Sequence, residues 1–401
     1  MLSDATLAFG EQFAESLLGL DQLYAVEQGK DESTASGDIE RLVVLNMSKT
    51  HQPRAYSAYS DAMSHLGDLN RLAAELPEAD RRLYYTQAIE SAVNFATWRS
   101  AGLDFEKQVT GFLHVPSGPA QAPELDALKT EMRAVLTELG YAGGIEQQFQ
   151  DWEAKNRVPA DEVVETIMTL FDEACDRTAT VMDMPADRSD GMKVEGISGV
   201  PFNAQCDFSA RTVRLNLDPI LTLPTLKHLA VHEGYPGHYI QFKRRELAYQ
   251  KGTGAADGLL SVVNTASSTP FEGIADVGLS VIGWDLEPDG RLAALLAQYR
   301  SGLGTRAAWR LAVDGWSPAR VKDELARDAL VGGEGWVENR IKFISRSDRA
   351  ALIWSYWWGA RSIGKVWKRV ADRPDKWPAY FDYTYDRMHS VASHALFDAE
   401  A

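Results

Sequence analysis

The chain is poor in cysteine: 401 residues contain only Cys175 and Cys206, isolated and far apart. That excludes a disulfide framework or a cysteine-based metal cluster, and both thiols read as small buried apolar groups in a reducing compartment. No stretch approaches the ~18 uninterrupted apolar residues of a membrane span. The opening Met-Leu-Ser-Asp-Ala lacks a charged segment followed by an apolar core, so no secretory signal is expected and the expected location is cytoplasmic. Basic excess is missing too: 41 Lys+Arg stand against 57 Asp+Glu, a net charge of −16. Duplex nucleic acid and anionic membrane surfaces are therefore not expected partners. The short runs Lys243-Arg244-Arg245 and Lys365, Lys368, Arg369 read as solvated helix faces.

What is present is an ordinary globular composition, 45% hydrophobic and 24% charged, enough for a sizeable core. Apolar residues at helical spacing (Leu7, Phe9, Phe13, Leu17, Leu18, Leu20) predict a helix over 4–28. Further helices are expected over 78–101, 122–140 and 160–184, the last opened by Pro159 and an acidic first turn. Beyond Gly302 helical patterning continues, broken at Pro318, Gly332, Gly333 and Gly335. One segment differs. Thr212, Arg214 and Asn216 alternate with Val213, Leu215 and Leu217, a strand period with Ser209-Ala210 as the turn of a hairpin. The expected fold is mainly α: a large helical body with a small β-hairpin or sheet next to a central helix pair. Three regions are read within one compact unit: 1–190, helical; 191–290, the β element and the metal-binding helices; and 291–401, helical.

The chemistry-bearing run follows that strand: Leu223-Pro224-Thr225-Leu226-Lys227-His228-Leu229-Ala230-Val231-His232-Glu233-Gly234-Tyr235-Pro236-Gly237-His238. A His-Glu pair followed by a second histidine is the metal-and-base signature of zinc peptidases, where the two histidines lie four apart on one helical face. Here the spacing is 238 − 232 = 6. On a straight helix six residues turn about 600°, which puts the imidazoles on different faces. Pro236 and Gly237 supply the break. Proline cannot donate to the carbonyl four residues back, and glycine takes backbone angles closed to other residues. A bulge there would swing His238 back towards His232. The later run Ser268-Thr269-Pro270-Phe271-Glu272-Gly273-Ile274-Ala275-Asp276 offers Glu272 as a third ligand. Asp276, one turn on, would accept the free ring N–H of a ligand histidine. Two histidines and one carboxylate leave a coordination position open, with Glu233 beside it as general base.

With Tyr239-Ile240-Gln241 and Phe271-Glu272-Gly273-Ile274-Ala275, this run resembles a large uncharacterised bacterial group of the gluzincin-like metallopeptidase superfamily. Its pattern is His-Glu-x-x-Pro-Gly-His-(His)-x-Gln, then Glu-Gly-Trp-Ala. The resemblance spans about 212–280. It implies a mostly helical fold with one zinc ion, His232, His238 and Glu272 matching the ligand positions and Glu233 the base. Tyr239 stands where a second histidine is frequent, and Ile274 where tryptophan is usual. Tyr356 and His389 are carried as candidates to polarise a carbonyl or stabilise an oxyanion. Trp354, Tyr356, Trp357, Trp358 and Trp367 read as core. His51, His65, His114, His228 and His394 have no partner legible in the sequence.

Three readings compete. One is a zinc-dependent hydrolase of an amide or peptide bond; another is a metal enzyme of small-molecule metabolism, with iron or another divalent metal, since two histidines and a carboxylate also suit non-haem iron. The third is a non-catalytic protein with a vestigial site. A peptide or small molecule is the expected partner, and the sequence carries no reading of oligomeric state.

Overall fold

The computed structural model describes residues 2–30, 41–183 and 190–399. Helices dominate and the strands are short, five among the described residues in two small sheets, which is the mainly α architecture expected. The chain divides into two compact units: Met1–Ser117, Gln241–Gly273 and Arg361–Ala401 form one, Gly118–Ile240 and Ile274–Ala360 the other.

In the first unit the helix Asp4–Glu27 begins where the Ser3 hydroxyl accepts from the Thr6 amide at 3.3 Å, and it buries Phe9, Phe13, Leu17, Leu18 and Leu20 as their spacing requires. Phe9 and Phe13 pack on Tyr85 of the helix Ala79–Ala101, with ring centroids 4.7 and 5.6 Å apart. Tyr84 and Tyr85 donate to Asp257 at 3.1 and 2.8 Å, and burial pushes both phenols well up. The strand Val43–Asn46 pairs antiparallel with Leu260–Val262. The Lys243-Arg244-Arg245 run is not the solvated face expected. Arg244 reaches Asp382 and Asp386, both at 2.6 Å, and Arg245 is buried, donating to Gln241 at 3.1 Å and lying 5.4 Å from the Phe271 ring centroid. An apolar setting that accommodates a guanidinium stem and ring face explains the difference.

His389 also belongs to this unit. Its Nε2 faces the Tyr383 carbonyl at 2.7 Å and its Nδ1 faces Arg81 Nη2 at 3.3 Å. A carbonyl only accepts and a guanidinium only donates, so the ring is the neutral Nε2–H tautomer. Burial, then the Arg81 charge, holds its pKa well below the ordinary value; burial takes His394, 3.1 Å from Thr384 Oγ1, down to about 3. The folded state thus refuses protons that the unfolded chain takes up once pH falls below 6.5, so stability declines on acidification through the window from 6.5 towards 3. For His394 this costs roughly 2–3 kcal/mol by about pH 4.5. We expect the urea midpoint to fall more steeply between these values in wild type than in His394→Gln; parallel profiles would remove His394 from the acid response.

The second unit contains the helices Ala122–Glu138 and Val163–Val181, both within expected segments, although residue 184, the last of the expected 160–184 helix, lies outside the described residues. Its sheet runs Lys193–Ile197, Thr212–Asn216, Ala204–Asp207 in spatial order, the outer pairings parallel and antiparallel respectively. Val213 and Leu215 are buried while Thr212 and Arg214 are not, the alternation legible in the sequence. The turn is tied by the Ala210 amide donating to Asp207 at 2.9 Å, with Arg211 at φ +51°. Trp152, Trp284, Trp336, Trp354 and Trp357 are fully buried and form much of the core. Trp367, in the first unit, stacks on Phe381.

Candidate metal centre

The helix Leu223–Glu233 starts under a Thr222 side-chain cap, with Pro224 in its first turn, where a missing N–H costs nothing. It stops at Glu233. The Gly234 amide still donates to Ala230 O at 3.1 Å, the Tyr235–Pro236 peptide is cis, and the Gly237 amide donates to Val231 O at 3.0 Å. A second helix then opens at His238 and runs to Gln250. Gly237 is packed so closely under the first helix that a Cβ there would lie 2.0 Å from the His232 carbonyl oxygen. The chain doubles back over its own last turn, and the rings of His232 and His238 end 4.6 Å apart between centroids.

The third component comes from the helix Ser268–Val281. It packs tightly on the first, because Gly278 has no side chain: a Cβ would meet Val231 Cγ1 at 2.5 Å. The division between the two units falls inside this helix, so its own geometry fixes Glu272 one turn before Asp276. One ligand atom each from His232, His238 and Glu272 can be chosen so that all lie within 4.8 Å of one another, and all three residues are buried. Glu233 is buried beside His232 with its Oε2 lacking a hydrogen-bond partner. A buried carboxylate oxygen without a partner costs free energy that a nearby cation or proton relieves. Donor chemistry, spacing and this orphaned oxygen fit a divalent ion.

Asp276 Oδ1 accepts from His232 Nδ1 at 2.9 Å and from His228 Nε2 at 3.2 Å. Burial alone would raise this carboxyl, but the two histidine hydrogen bonds hold it well below the usual carboxylate range. With Nδ1 engaged, His232 keeps Nε2 for a ligand. His228, for which the sequence shows no partner, stands four residues before His232, the spacing that puts two imidazoles on one helical face. Their ring centroids are 5.7 Å apart, and His228, His232 and Asp276 make a second group of candidate ligands.

Both sites border a cavity of about 160 Å³ in the second unit, lined by His228, His232, Glu233 and Asp276 and also by Tyr356. His389 is not among its lining residues. The strand Ala204–Asp207, an edge strand of the sheet, contributes Ala204 to the wall. Burial, and then Glu233, raises the Cys206 thiol of the same strand.

No family model matches the chain, and no curated protein does. Among solved structures the fold recurs in a "putative lipoprotein" from Colwellia psychrerythraea, 13% identical, TM-score 0.53, covering 84% of this chain and 68% of that one. It recurs too in a "putative lipoprotein of unknown function" from Shewanella oneidensis, 14% identical, TM-score 0.51, covering 84% and 72%. These likenesses correct two expectations. The zinc-dependent amide or peptide hydrolase does not stand as the function: chains sharing the fold are described as "putative" lipoproteins, one of them of unknown function, and not as zinc hydrolases or metallopeptidases. The cytoplasmic location does not stand either, since a lipoprotein is held at a membrane by its lipid. No helix among the described residues is long and apolar enough to cross a membrane.

Proposed function

We propose that the chain holds one divalent transition-metal ion through His232, His238 and Glu272, oriented by Asp276, and that this centre is where the protein acts as a metal-dependent enzyme. The observation that carries the reading is the doubled-back chain at Gly237, which brings the His238 ring to 4.6 Å from that of His232, with Glu272 in reach of both. The motif resemblance to the gluzincin-like group supports the same ligand set. Two imidazoles and a carboxylate suit Zn²⁺ and also Fe²⁺. Held by these residues, such an ion would supply Lewis acidity. Glu233, buried at its side with a free oxygen, is the group that takes up or returns a proton there.

Titration of chelator-stripped protein with Zn²⁺ tests the reading. One ion per chain is expected, and His238→Ala is expected to weaken binding at least about a hundredfold, the loss of one of three ligands at ~1.4 kcal/mol per decade. Wild type that takes up no Zn²⁺, Fe²⁺ or Co²⁺, or a His238→Ala variant that binds as wild type does, would remove the centre.

A further inference from the structure

Of the three proposed ligands, His232 lines the cavity, together with Glu233 and Asp276. The long helix Pro288–Ala312 contributes Arg300, and the helix Gly333–Ile344 contributes Arg340. Both guanidinium groups lie against one indole: their central carbons are 4.6 and 5.6 Å from the Trp336 ring centroid. Arg300 Nη2 donates to the Val331 carbonyl, and the Nε atoms of both arginines are buried without a hydrogen-bond partner. Among the described residues neither forms an ion pair. The charges felt by Arg300 are Glu153 and Arg340 itself, and Arg340 feels Tyr356. Burial draws Arg300 down to about 9 and Arg340 to about 10, so both still carry their charge at neutral pH.

Two adjacent cations held in a cavity, in a chain of net charge −16, are costly unless an anion completes them. A guanidinium fork matches the paired oxygens of a carboxylate or phosphate. We propose that this cavity receives a small molecule through an oxyanionic group, carboxylate or phosphate, bound by Arg300 and Arg340. Glu233 and Asp276 make the other part of the wall acidic, so the occupant is polarised: its oxyanion lies at the arginines, and its uncharged or hydrogen-bond-donating portion faces His232 and Glu233. The inference goes beyond the metal reading and holds for the metal-free protein.

The test uses chelator-stripped full-length protein in EDTA, titrated calorimetrically with the monoanion succinamate, inorganic phosphate and, as a neutral isostere, succinamide. We expect succinamate or phosphate to bind once per chain with a Kd of about 1 mM or tighter, and succinamide to give no signal. Whichever anion binds more tightly identifies carboxylate or phosphate as the group recognised. Arg340→Gln should weaken that anion by about tenfold or more, and Arg340→Lys by an intermediate factor, because charge is kept while the fork is lost. If Arg340→Gln fails to fold, Arg340→Lys decides alone. Absence of binding by both anions, or unchanged affinity in the folded arginine variants, overturns the proposal. Because EDTA removes any ion, failure of the metal centre leaves this result readable.

Discussion

Gly237→Ala should unfold the local chain reversal and abolish metal binding together. The added Cβ would meet His232 O at 2.0 Å and Val231 O at 2.2 Å, and both obstacles are backbone, which cannot rotate aside as a flexible side chain does. Gly237 also donates its amide to Val231 O at 3.0 Å, so relief of the clash breaks that bond and moves His238, the next residue. We expect a loss of about 3 kcal/mol or more in stability, at the high end for overpacking because the clash is with main chain. Zinc affinity should fall by at least about a hundredfold, since ligand atoms must be held within tenths of an ångström to share an ion. Gly67→Ala is the control. Gly67 lies in the helix Tyr59–Ala73 with nothing near its absent Cβ, and alanine there should stabilise by about 0.5–1 kcal/mol. If the urea midpoint and zinc titration of Gly237→Ala resemble those of Gly67→Ala, the doubled-back turn is not what assembles the centre.

How much of this was legible depended on whether the relevant signal was local. The long helices announced themselves through apolar spacing, and the six-residue interval between His232 and His238 was readable because Pro236 and Gly237 lie inside it. The strand Thr212–Asn216 was legible by alternation, but its parallel neighbour Lys193–Ile197 was not: none of its five residues is buried, and its partner lies beyond an intervening strand. The helices Tyr59–Ala73 and Ile145–Asn156 were missed because few of their residues are buried: Ala62, Leu66, Leu69 and Ala73 in the first, Gln148, Phe149 and Trp152 in the second. The i, i+4 relation of His228 to His232 does not by itself mark a role, because the carboxylate that the two rings share, Asp276, meets them only in the fold. Arg300 and Arg340 carried no local signal. They meet over Trp336 only once two helices pack, and nothing in a linear pattern distinguishes an arginine that lines a cavity from one in water. Location and reaction type failed for another reason: a motif describes ligand geometry, whereas the fold is shared with chains described only as lipoproteins.

Asp276→Ala should be strongly damaging although it leaves all three proposed ligands in place. Asp276 Oδ1 is shared by His232 Nδ1 and His228 Nε2, at 2.9 and 3.2 Å. Its removal strips the half-buried His228 and the buried His232 of their acceptor, which costs on the order of 3 kcal/mol. It also frees His232 to rotate or to place its proton on Nε2, the nitrogen needed for the ion, so zinc affinity should fall about 10- to 100-fold. His228→Ala removes a partner from Asp276 yet leaves the His232–Asp276 bond intact, and its effect on zinc should stay within about threefold. The ranking of these variants and His232→Ala in one zinc titration then separates the two overlapping groups of ligands. Losses in the order His238→Ala, Asp276→Ala, His228→Ala place the ion on His232, His238 and Glu272. A His228→Ala loss equal to that of His232→Ala, with His238→Ala near wild type, would put the ion on His228, His232 and Asp276 instead, and would leave the reversal at Gly237 as packing alone.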